Sequence, residues 1–364
     1  MPSHSNLAVV APPVDEPAPL RVVSIGGGTG LSSLLSGLRH YARGVQSEAP
    51  ALPYEADITA VVTVSDDGGS SGRLRRDFDV LPPGDIRNCL VALSEDETLL
   101  SKLFQYRFRS GRGLKGHSFG NLFLTALNDV TGDFAHAVRL SSEILAIRGK
   151  IFPATASNAT LEARLLDGTT VTGESRISKS KQPIDRVFLR PAECRPHPET
   201  LEAIANADII TLGPGSLYTS VIPNLLVNGI PQAIEHSPAL KVYFVNLMWQ
   251  PGETINLSAS QHVEAILKHA RDRRVMDCVV LNTAPISPSL KRKYAAHKVQ
   301  PVENDFEKLH ALGVKIVAAD LVGDSKLVRH DPGSTAKIVM ELAARFRSGK
   351  DPNPLAIFPP SGLA

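Results

Sequence analysis

Short, unbroken apolar runs alternate with amphipathic stretches along most of the chain. Arg21-Val22-Val23-Ser24-Ile25 and Ile58 to Val64 are dense in β-branched residues, and Ala207 to Leu212, Lys241 to Leu247, Cys278 to Leu281 and Val314 to Ala318 repeat the pattern. Runs of this length without polar alternation predict strands covered on both faces, the signature of a parallel sheet. Between them, Leu31, Leu34, Leu35 and Leu38 have helical spacing. Further helices are predicted over Ile86 to Leu93 and Thr98 to Phe108, from His117-Ser118-Phe119-Gly120-Asn121 onward, after Asp133, and over Ser258 to Ala270 and Thr335 to Phe346. The rhythm is α/β.

One segment breaks it. From Ile151 to Pro196 the periodicity drops to two, and Leu161 to Leu165 and Thr170 to Glu174 flank Asp167-Gly168, a strong hairpin turn. A small antiparallel β excursion is expected over about residues 151–196.

Composition narrows the class. Lys plus Arg is 39 and Asp plus Glu is 37, for a net charge of +2 over 364 residues, which argues against bulk nucleic-acid binding. Cys89, Cys194 and Cys278 are scattered, which suggests no disulfide framework or zinc site and fits a cytoplasmic protein. No apolar run is long enough to insert across a membrane. Residues 1–20 are Pro-rich without a basic region and apolar core, and read as a disordered leader rather than a signal peptide. Residues 349–364 read as a loose Pro-rich tail.

The candidate chemistry follows the strands. Gly26-Gly27-Gly28-Thr29-Gly30 joins the first strand to a helix. Glycines permit a sharp turn and close approach, and the free N–H groups of a helix start attract an anion. The same loop is also compatible with a plain turn. It lacks the Gly-Lys of a Walker loop and matches the dinucleotide fingerprint imperfectly, with Ser33 in the third glycine place when read from Gly28. Asp66 and Asp67 end the second strand; they suit ribose hydroxyls, Mg²⁺ or simple turn chemistry. Arg73, Arg75, Arg76 and Arg87 nearby tilt the reading toward an anionic ligand or toward pairing with local acids. Asp85 is expected to cap the helix that follows it, and Glu253 and Thr254 the helix after them. His117 and Asn121 stand four apart at a loop-to-helix junction, where they reach one ligand or serve as cap and packing. Gly213-Pro214-Gly215-Ser216 has the composition of an anion nest or a turn. Arg329-His330-Asp331 reads as surface.

Taken together, the motifs at 25–32, 66–75, 82–88, 116–121, 213–220, 250–254 and 328–331 resemble the YvcK-type gluconeogenesis-factor family, in order, from about Arg21 to Phe346. That family shares a superfamily with the 2-phospho-L-lactate transferase CofD. The resemblance implies one Rossmann-like domain over residues 21–348 in a cytoplasmic bacterial protein. It implies binding of UDP-sugars such as UDP-N-acetylglucosamine, or of a dinucleotide, and a role in cell shape and cell-wall supply during gluconeogenic growth. By correspondence, Thr29 and Arg329 contact the nucleotide sugar. Gly26, Gly27, Gly28, Gly30, Asp66, Asp67, Arg73, Asn121, Gly213, Gly215 and Ser216 complete the expected site, with Asp66 and Asp67 as the expected holders of any Mg²⁺; no cofactor is required. The sheet and its apolar helices allow a homodimer. Catalytic residues are not identified, and the alternative is a Mg²⁺-dependent transferase of the CofD branch. Two departures stand out. Pro82-Pro83-Gly84-Asp85-Ile86-Arg87-Asn88 replaces the Ser-Pro-Asp-x-Asp-Thr segment of the transferases, and Trp249 stands where threonine is more usual.

Overall fold

Among the described residues the chain forms ten strands: β1 (Leu20–Gly26), β2 (Ala56–Val62), β3 (Lys150–Pro153), β4 (Thr160–Leu165), β5 (Thr170–Thr172), β6 (Ile184–Arg190), β7 (Ile209–Leu212), β8 (Leu240–Phe244), β9 (Cys278–Asn282) and β10 (Lys315–Ala319). The computed structural model describes residues 17–44, 54–95, 99–323 and 325–350. Most of the expected leader and tail, and much of the loop between β1 and β2, lie outside these residues.

Seven strands form one sheet in the order β10-β9-β8-β7-β1-β2-β3, and every pairing in it is parallel. Strand alternation splits its core into two layers. Val22, Ile58, Ala60, Val62 and Ile151 face helices Gly28–Leu38, Gly84–Leu93 and Pro332–Arg347. Val23, Ile25, Val61, Ile210 and Tyr243 face the opposite layer, with helix Ala259–His269 and the small sheet β5-β4-β6.

The antiparallel excursion is present but starts later than the sequence suggests. Lys150–Pro153 pairs with β2 as the edge of the main sheet, while β4 to β6 form the separate antiparallel unit. A four-residue edge strand ending in proline is too short to register as an apolar run. The polar loop after β2 also hides a helix, Gly69–Phe78. Its Gly-Ser-Ser-Gly start carries little helical propensity, and packing rather than local preference holds it. No helix among the described residues is long and apolar enough to cross a membrane.

Candidate functional site

The chain builds β1, β2 and β3 in one direction and β7 to β10 in the other, so the strand order reverses between β1 and β7. Ligands of open α/β sheets bind outside the strands' C-terminal ends at such a reversal. Both glycine loops emerge there. Gly213 N–H donates to the Ile25 carbonyl at 2.9 Å, and the Gly213–Pro214 peptide is cis. Gly28 sits at φ +62°, a conformation glycine adopts at no steric cost. A side chain at Gly30 would put its Cβ 2.4 Å from the Pro214 carbonyl oxygen, so the two loops touch only because residue 30 has none.

Beside this contact opens a cleft of about 280 Å³. Gly27 to Gly30 and Ser33 form its floor, and Gly215, Ser216 and Ser220 one wall. Asn246 to Gln250, Tyr294 and Val328 to His330 close the other side. The wall is braced: Asn246 Nδ2 donates to the Gly215 carbonyl at 2.9 Å and Gln250 Nε2 to Ser216 Oγ at 2.9 Å. Tyr294 Oη accepts from Val328 N–H at 3.1 Å, holding the segment that carries Arg329 at the exposed mouth. Trp249 Nε1 donates to the Leu257 carbonyl at 3.2 Å, which fixes the indole at the lip. Burial pushes the His330 imidazole down to about 4, partly opposed by its donation to the Val245 carbonyl. His330 is therefore neutral near pH 7, and its buried Nε2, like buried Asn246 Oδ1, has no hydrogen-bond partner.

The β2 side of the same edge has the opposite chemistry. Asp66 Oδ1 accepts from Gly68 N–H at 2.7 Å. Asp67 Oδ1 accepts from Ser175 N–H at 2.8 Å, tying the antiparallel unit to the main sheet. Asp85 lies behind the glycine floor and accepts from Gly28 N–H; burial, with Asp66 beside it, pushes its carboxyl up to about 7. Burial and the charges of Asp66, Asp85, Glu253 and Asp67 hold the Glu174 carboxyl well above its usual range, and its Oε2 has no partner. Burial raises Glu253 to about 7, although it accepts from Tyr218 N–H and Thr219 Oγ1 at 3.1 Å each. Magnesium needs several oxygens converging on one point. Asp66 and Asp67 each serve a separate backbone donor, and no group of three or more His, Cys, Asp or Glu among the described residues is arranged to hold a metal ion.

Of the expected site residues, Gly27, Gly28, Thr29, Gly30, Gly215, Ser216 and Arg329 line the one cleft. Gly26 and Gly213 support it from the strand ends, where a Cβ on Gly26 would lie 3.8 Å from Gly213 Cα. Asp66, Asp67, Arg73 and Asn121 stand outside it. Arg73 donates to the Lys115 carbonyl at 2.9 Å. Asn121 is buried, with Nδ2 3.5 Å from Ser71 Oγ, and His117 Nδ1 lies 2.9 Å from Ser70 Oγ, so both lean on the helix hidden after β2.

Two capping expectations are corrected. Asp85 is in the first turn of its helix, whose N-cap is Pro83, and its carboxyl turns to Gly28 instead. Glu253 serves the turn at Leu217–Val221, while Ser258 and Gln261 cap Ala259–His269 with a capping box. Both are acids placed beside a helix in sequence but drawn to N–H groups distant in sequence. Ser220, Asn246, Gln250 and Tyr294 are not among the expected site residues, although Ser220 ends the 213–220 motif and Gln250 opens the 250–254 motif.

Known proteins match this frame. The family model described as 2-phospho-L-lactate transferase CofD matches residues 22–322. A gluconeogenesis factor of Halalkalibacterium halodurans is 48% identical over 328 residues, covering 90% of this chain and 98% of the relative. A gluconeogenesis factor of Bacillus subtilis is 45% identical over 323 residues, 88% of this chain and 98% of the relative. A crystal structure of a Bacillus halodurans protein superposes with a TM-score of 0.83 at 48% identity, over 88% of this chain and 99% of that one. With the fold, the ordered motifs and these relatives in agreement, the chain belongs to the CofD family, among its gluconeogenesis factors.

Proposed function

We propose that the cleft binds a nucleoside diphosphate sugar of the UDP-sugar type, and that the protein acts in the cytoplasm through this binding rather than through turnover. The supporting observation is the convergence at the sheet's reversal point of a helix N-terminus, a second glycine loop and Arg329 around one cleft of about 280 Å³. Backbone N–H groups and a guanidinium are the partners a diphosphate selects. Thr29 offers its hydroxyl from the same floor. The relatives' name, gluconeogenesis factor, supports a role in gluconeogenic growth, and the family resemblance extends that role to cell-wall supply and cell shape.

Titration calorimetry with UDP-N-acetylglucosamine is the test. Binding is expected for the wild type and weakened binding for Thr29→Ala and Arg329→Ala. Absence of binding by the wild type, or unchanged binding by both variants, sinks the proposal. Release of a nucleoside monophosphate with Mg²⁺ and a deazaflavin acceptor would instead establish the transferase alternative.

A further inference from the structure

From Leu99 to Ser118 the chain carries five basic residues, Lys102, Arg107, Arg109, Arg112 and Lys115, and no acidic one. In a protein with a net charge of only +2, this is a local concentration. The acidic run Glu95-Asp96-Glu97 precedes it in sequence, and Glu95 is engaged by Arg148 at 2.7 Å. Among the described residues none of the five bases forms an ion pair; Arg107 donates to the Gly116 carbonyl, which leaves its charge uncompensated.

The same stretch exposes apolar side chains that its own fold does not need. Helix Leu99–Gln105 buries Phe104 and packs Leu100 against the core. Its other face shows Leu99 at 83% exposure and Leu103 at 38%, followed by Tyr106 at 50%. A spacing of four places Leu99 and Leu103 on one side of the helix, and Tyr106 follows directly after its end. Past Tyr106 the chain folds back, with Phe108 N–H donating to the His117 carbonyl at 2.9 Å and Gly116 N–H to the Phe108 carbonyl at 2.8 Å. Leu114, 43% exposed, stands in the turn between Arg112 and Lys115.

We infer that this helix and its basic hairpin form a docking surface for an anionic bilayer. Exposed leucines and a tyrosine set among lysines and arginines suit the headgroup boundary. RNA would use the charges but leaves Leu99, Leu103 and Leu114 without a role. The hairpin also touches the β2 side of the site, through Arg73 to the Lys115 carbonyl and His117 to Ser70. Docking there brings the sheet's C-terminal edge toward the membrane.

Co-sedimentation of the full chain with vesicles tests this. The wild type should bind vesicles of equal parts phosphatidylcholine and phosphatidylglycerol, not pure phosphatidylcholine, and release as salt rises. Arg109→Glu with Arg112→Glu should weaken binding by about tenfold or more. Leu103→Ser with Leu114→Ser should weaken it by about tenfold at unchanged charge. All four positions belong to the surface outside the nucleotide cleft, so circular dichroism and nucleotide binding should be unaltered. No wild-type binding to the anionic vesicles overturns the inference. So does unchanged binding by the leucine variant, which would reduce the contact to nonspecific charge attraction.

Discussion

The two ends of one sheet edge are built for opposite charges. At the junction of β1 and β7, backbone N–H groups and Arg329 surround an open cleft. Behind the glycine floor, toward β2, Asp85 and Glu174 are carboxyls whose environment favours the proton, and Glu253, bonded to the turn after the second glycine loop, shares it. The first end is prepared for an anion. The second disfavours one, and holds its own carboxyls toward neutrality rather than pairing them with cations. The contrast gives the edge an electrostatic polarity. It also separates roles. Under the proposed function the glycine end would take the ligand, while Asp67, Glu253 and Asp85 fasten loops to one another.

The acidic end can be probed by pH, with the largest effect. Glu253 is raised from 4.5 to about 7 and is 7% exposed, so the folded protein holds a proton that the unfolded chain releases. Stability should fall as pH rises from about 4.5 to about 7 and level off above, a loss on the order of 3 kcal/mol from this group. Asp85 adds in the same direction. Denaturant melts of wild type and Glu253→Gln across that range should converge at low pH and diverge at neutrality. Parallel curves would contradict the buried-acid reading.

Next in size is Gly30→Val. Its side chain would press on the Pro214 carbonyl and part the two loops, costing about 2–3 kcal/mol and binding with it. A variant with wild-type melting temperature and affinity would show that the loops need not touch. Arg329→Ala should cost about 2 kcal/mol of binding, roughly 30-fold in Kd, and leave melting unchanged because the side chain is exposed. Loss of stability instead would make Arg329 part of the scaffold. Thr29→Ala is the smallest, about 1 kcal/mol or fivefold in Kd by calorimetry. An equal loss from Ser70→Ala, on the acidic side, would erase the distinction between the two ends.

The parallel sheet was legible because unbroken apolar runs mark strands covered on both sides. The glycine loops were legible because strand–turn–helix junctions at a strand's end have a recognisable composition. Arg329 was not legible from its own residues: Arg-His-Asp reads as surface until the last helix sets it at the mouth, and only the family resemblance raised it. The functional meaning of Asp85 and Glu253 was hidden for a different reason. Each stands beside a helix that it does not cap, and its partner, Gly28 or Tyr218, is far along the chain. Likewise β3 was lost to its shortness and Gly69–Phe78 to its serines and glycines, since tertiary packing overrides weak local preference.

The central position of β1 has a consequence for how the molecule comes into being. Val22 pairs with Ile209, 187 residues later, and Gly30 rests on Pro214. A nascent chain emerging from a ribosome has the first glycine loop almost at once but lacks its counterpart until well over half the protein has been made. Partners so distant in sequence are slow to meet. The cleft is therefore among the last features to form during synthesis. Its far wall comes later still, from Asn246 to Gln250, Tyr294 and Val328 to His330, so only a chain made through His330 carries the whole cleft.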